Sequence, residues 1–75
     1  MIKLNKETLE VNSMAIKKVK YDYQLNKLRL TFVNGRKYDY FNVPLDKFLS
    51  MKYAESIGKF IHKHILKQYN FNYAG

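Results

Sequence analysis

The sequence predicts an α+β domain, a three- to four-stranded antiparallel meander followed by two helices packed on one of its faces. Three observations carry this expectation. Alternating apolar residues flank Asn34-Gly35 within Leu28 to Pro44, and Asn-Gly between two alternating runs signals a hairpin because both residues tolerate the positive φ of a tight turn. After Val43-Pro44 the apolar spacing changes from a period of two to a helical one. The chain has 75 residues, one domain's worth, which at this size buries roughly 60 to 65% of its unfolded surface and must share one core.

Residues 1–12 read as an N-terminal edge strand or arm, since Leu9 and Val11 alternate but Asn5-Lys6-Glu7 resembles a turn. From Ala15 to Tyr23 the pattern is extended, with Val19, Tyr21 and Tyr23 in phase and Ile16 out of phase by one. A bulge near Lys17 and Lys18 reconciles them. Tyr23 to Lys27 then connects this strand to Leu28. A two-residue loop at Asn34-Gly35 would set Leu30 opposite Asp39 and Phe32 opposite Lys37, charges on the face that must be buried. A three-residue loop, Val33-Asn34-Gly35, with Gly35 left-handed, pairs Leu30 with Tyr38, Leu28 with Tyr40 and Arg29 with Asp39. A slip of one residue inverts every side chain, so the second register is the expected one, giving an apolar face and a basic face.

Pro44 suits a first helical turn, and Leu45, Phe48 and Leu49, with Lys52 next in phase, trace the inner face of a first helix over Leu45 to Lys52. Ser56 reads as an N-cap whose hydroxyl accepts from the amide of Gly58 or Lys59. A second helix follows over Ile57 to Tyr69, with Ile57, Phe60, Ile61, His64, Ile65 and Gln68 facing the sheet. Lys59, Lys63 and Lys67 recur every fourth residue on its outer side as a positive ridge.

The net charge of +8, with 14 basic and 6 acidic residues, points to anionic partners. Twelve of the basic residues are lysine, and the abundance of Lys, Asn, Ile, Tyr and Phe also matches what an AT-rich genome imposes. No cysteine is present, which removes disulfides and thiolate zinc sites. No apolar run approaches the ~20 residues of a membrane span, and the first residues lack the apolar core of a signal peptide. The expected location is cytoplasmic, without a membrane role.

Ser13-x-x-Ile16, Tyr21-Asp22, Leu28-x-Leu30-x-Phe32, Gly35-x-x-Tyr38-x-Tyr40, Val43-Pro44, Ala54-x-Ser56-x-Gly58, Ile65 and Tyr69 together resemble the KTSC domain. That family is named for a segment at the C-terminal end of some lysyl-tRNA synthetases and also occurs alone in bacteria and phages. The resemblance covers residues 13 to 73, and the domain is placed at 13–75. It implies RNA binding by way of the synthetase context, and Tyr38 and Tyr40 as the family's central pair. Where the family usually has Asn in the second helix, this chain has His62, so a function resting on that amide does not carry over.

No catalytic set can be assembled, and the protein is not expected to be an enzyme. Ser13, Ser50 and Ser56 lack a glycine elbow. His62 and His64 are two apart on a helix, so they point roughly 200° away from each other and cannot share a metal. No cofactor is expected. The leading expectation is a nucleic-acid-binding module, RNA favoured, in which Lys20, Arg29, Lys37, Lys59, Lys63 and Lys67 contact phosphates. Phe41 is the one aromatic expected on the basic sheet face, so a stacking platform is absent there and sequence selectivity should be low. The alternatives are a phage or prophage protein that sequesters an acidic nucleotide-type ligand in a pocket of Tyr38, Tyr40, Ser56, Lys59 and His62, and an inhibitor that binds an acidic host protein. An uncovered sheet face further suggests a homodimer.

Overall fold

In a computed structural model, which describes residues 5–75, the chain forms five antiparallel strands: β1 (Lys6–Glu10), β2 (Ile16–Asp22), β3 (Lys27–Phe32), β4 (Lys37–Tyr40) and β5 (Phe71–Tyr73). Two helices, α1 (Leu45–Lys52) and α2 (Ile57–His64), lie between β4 and β5 in the chain. Strand order follows chain order, so the sheet is a meander with β1 and β5 at its edges. The described part of the expected N-terminal strand or arm is edge strand β1; residues 1–4 lie outside the described residues. The sheet has one strand more than the sequence reading allowed, because β5 was not anticipated.

The hairpin takes the three-residue loop. Phe32 donates its amide to the Arg36 carbonyl, Gly35 donates to the Phe32 carbonyl, and Gly35 sits at φ +90°, where a Cβ would be strained. Leu28 therefore pairs with Tyr40, Leu30 with Tyr38, and Arg29 with Asp39. The register of β2 against β3 shifts between Ile16 and Lys18, which is the expected bulge. It lets Ile16 join Val19 and Tyr21 in the core although the spacing from Ile16 to Val19 is odd.

The inner face of the sheet carries Val19, Tyr21, Leu28, Leu30 and Tyr40, all buried against Val43, Phe48, Met51, Ile61 and Ile65. Tyr21 ties the layers together. Its ring stacks on Phe48 at 4.4 Å, nearly parallel, and its hydroxyl donates to the Val43 carbonyl at 2.7 Å while accepting from the Asn26 side-chain amide at 2.8 Å. The turn before β3 is thereby fastened to the Val43-Pro44 stop. Asn26, which takes a positive φ of 52°, is a residue type that tolerates that region.

Helix α1 departs from its expected face, and α2 keeps its face, with Ile57, Phe60, Ile61 and Ile65 on the core, but not its expected length. In α1 the buried residues are Phe48 and Met51, whereas Leu45 and Leu49 remain exposed. The stacking of Phe48 on Tyr21 fixes the rotation of this short helix, and Met51 one turn on completes the inner face. Lys52 turns to the sheet edge instead, pairing with Glu7 of β1. Ser56 caps α2 as expected, its hydroxyl accepting from the Lys59 amide at 3.3 Å. The helix ends at His64 rather than Tyr69. Ile65 and Leu66 both donate to the Ile61 carbonyl, Lys67 takes φ +69°, and the chain turns back to pair β5 with β4. Gln68 is exposed rather than facing the sheet.

Candidate functional site

Strand pairing decides which side chains share the outer, helix-free face. Lys18, Lys20, Arg29, Thr31, Lys37 and Asp39 alternate with the core residues of β2 to β4 and project there together. A shallow groove on this face is lined by Thr8, Lys17, Lys18, Lys20, Arg29, Thr31, Gly35 and Lys37. Five of these carry positive charge and none is a carboxylate. Lys20 sits directly opposite Arg29, a like-charge pair that costs stability in a sheet. A second, smaller depression beside it is lined by Lys6, Asp22 and Lys27, again sharing Lys20 and Arg29.

Arg29 is not free to move. Its Nε and Nη2 donate to the two carboxylate oxygens of Asp39 at 2.7 and 3.0 Å, with Lys27 3.8 Å from the same carboxylate. The hydrogen bonds from Arg29 hold the Asp39 carboxyl below the usual carboxylate range, so the pair stays ionised. Two of five guanidinium N–H donors are used, and the side chain, 35% exposed, lines the groove. Among the described residues, no carboxylate lies within ion-pair distance of Lys17, Lys18, Lys20 or Lys37.

The six expected phosphate contacts split among three surfaces. Lys20, Arg29 and Lys37 share the basic face, whereas Lys59 and Lys63 lie on α2, on the other side of the sheet, near Ser56, Phe60 and His64. Lys67 leaves the ridge because α2 has ended before it; it lines a different groove. Lys17 and Lys18 were missed. They look as if they should lie on opposite faces until the bulge is placed, and the bulge brings both to the basic groove.

The expected small-ligand pocket does not assemble. Tyr38 and Tyr40 line a groove with Phe32, Asn34, Arg36, Leu66, Lys67 and Phe71, while Ser56 and Lys59 belong to the α2 surface. His62 is exposed and lines neither. Burial raises the pKa of the Tyr40 hydroxyl, so it stays a neutral phenol at pH 7. Phe71 and Tyr73 pair opposite Tyr40 and Tyr38 and extend the aromatic surface. The alternation Tyr69-x-Phe71-x-Tyr73 was the available signal for them. Phe41 is half-buried just past β4, its amide donating to the Asn70 carbonyl. Among the described residues no three or more His, Asp or Glu gather as metal ligands, and no helix is long and apolar enough to cross a membrane.

These elements define a small α+β domain with a basic outer face and an aromatic groove on the helix side. A family model for the KTSC domain matches residues 12–69, most of the chain, and the chain belongs to that family. Among solved structures it is similar to a KTSC domain protein from Yersinia pestis, with TM-score 0.85 and 24% identity over 93% of this chain and 99% of that one. That likeness is one of fold. Comparison with curated proteins brings no match.

Proposed function

We propose that this protein binds nucleic acid, RNA favoured, through the basic outer face of its sheet, and that it performs no catalysis. The observation that supports this reading most is the groove between β1 and the β3–β4 hairpin, with Lys17, Lys18, Lys20, Arg29 and Lys37 on its walls and no carboxylate. A polyanion relieves the repulsion that Lys20 and Arg29 exert across strands and gains from lysines that hold no ion pair among the described residues, although Glu10 stands opposite Lys18. The groove is shallow, and its other side chains are threonines. It suits a sugar-phosphate backbone better than base edges, so selectivity among sequences is low.

The test is a comparison of two variants by fluorescence anisotropy with a labelled single-stranded RNA. The triple substitution Lys18→Gln, Lys20→Gln, Lys37→Gln should weaken binding and flatten the log-log salt slope by about 2, at roughly 0.7 per phosphate contact. Lys59→Gln with Lys63→Gln should leave the slope unchanged, because those residues lie on the opposite side. The reverse pattern moves the interface to α2, and binding to an acidic protein but not to RNA replaces this reading with a protein partner.

A further inference from the structure

The helices leave an aromatic surface uncovered on their own side of the sheet. Tyr38 packs edge-on against Phe32, Phe71 and Tyr73 at centroid distances of 5.7, 5.9 and 5.3 Å, and Phe71 lies over Tyr40 at 5.4 Å. Phe71 and Tyr73 are 54% and 62% exposed. Rings of this size are ordinarily placed where most of their area leaves water, and two on one three-residue edge strand need an explanation. The groove beside them has a volume of about 460 Å³, within the range of small-ligand sites.

Its rim is cationic. Arg36 and Lys67 line it, and no carboxylate does. Lys67 is placed there by the left-handed turn, φ +69°, that follows the end of α2. A planar aromatic group with an anion at its edge satisfies both features: the ring stacks on Phe71 and Tyr38, and the anion meets Arg36 or Lys67. A purely apolar peptide would leave the two cations unanswered.

The groove also adjoins the basic face. In the β3–β4 hairpin, Gly35 and Lys37 line the basic groove while Asn34 and Arg36 line the aromatic one, so a chain crossing the hairpin touches both. We infer that the aromatic groove holds a base of the same single strand whose phosphates lie on the basic face. This rests on the nucleic-acid reading above and adds a base-stacking contact to it. Stacking accepts any base face, so the contact selects unpaired nucleotides over duplex rather than one sequence over another.

The experiment compares a uridine strand of about 12 nucleotides with an abasic ribose-phosphate strand of the same length. The parent should bind the uridine strand at least about 5-fold more tightly. Phe71→Ala should bring the two affinities together without changing the salt slope. Phe71→Leu keeps apolar cover on β5 and removes the ring, so it should do the same, whereas Phe71→Tyr should keep the preference. Equal parent affinities for the two strands, or a preference that survives Phe71→Leu, overturns the stacking site while leaving the basic-face reading standing. A parent that binds neither strand at low salt overturns both.

Discussion

Gly58→Ala should destabilise the protein, although alanine is the better helix former. An added Cβ at this position would lie 2.8 Å from the Ser13 hydroxyl oxygen and 3.0 Å from the Ser13 Cβ. The hydroxyl cannot simply rotate away, because it accepts from the amides of Ala15 and Ile16 at 3.2 and 3.3 Å. Overpacking of this kind costs about 1–3 kcal/mol. Relief of the glycine helix penalty returns at most about 1 kcal/mol, and less in the first turn of α2. The net loss is about 1 kcal/mol, a fall of roughly 4–8 °C in Tm for a domain this small, read by circular dichroism. In a Ser13→Gly background the clash is gone, and Gly58→Ala should be neutral or stabilising. A rise in Tm in the parent, or an equal loss in both backgrounds, refutes the reasoning. The contact has functional weight because Ser13 leads directly into the bulge that sets Lys17 and Lys18.

Tyr21→Phe leaves the Val43 carbonyl and the Asn26 amide without their buried partner, and should cost about 1–3 kcal/mol in chemical denaturation; a neutral outcome refutes the network. Hydrogen bonds from Lys52 and Tyr23 hold Glu7 below its ordinary pKa, as those from Arg29 do for Asp39. Depressed folded-state values contribute stability above the unfolded pKa and lose it as pH falls through the folded one. Tm should therefore drop below about pH 4, Asp39→Asn should shrink that drop, and a Tm constant down to pH 2 contradicts the assignment.

The hairpin register could be read from sequence because the alternative places Asp39 and Lys37 among Leu28, Leu30 and Phe32, a choice that alternation alone decides. The bulge was legible for the same reason, from the phase of Ile16 against Val19 and Tyr21. Strand β5 is shorter than a strand signal normally needs: the alternation Tyr69-x-Phe71-x-Tyr73 is present, but it covers only three strand residues, all exposed. The helical period continues past His64 to Ile65 and Gln68, but pairing of β5 with β4 ends the helix first, and that long-range term is invisible locally. Of the candidate interface, Lys20, Arg29 and Lys37 followed from register. Ser56 and His62 were joined to Tyr38 and Tyr40 wrongly, because residue spacing does not say where a helix end lands over a sheet.

The most direct test of the account is the salt dependence of RNA binding by the unaltered protein. Lys17, Lys18, Lys20 and Lys37 line one groove with no carboxylate within ion-pair distance among the described residues, and four such contacts give a log-log slope of roughly −3 on a single strand. Measured by anisotropy titrations from low to physiological salt, a slope near that value supports the basic face as a nucleic-acid surface. No binding at low salt, or binding that does not weaken as salt rises, contradicts it.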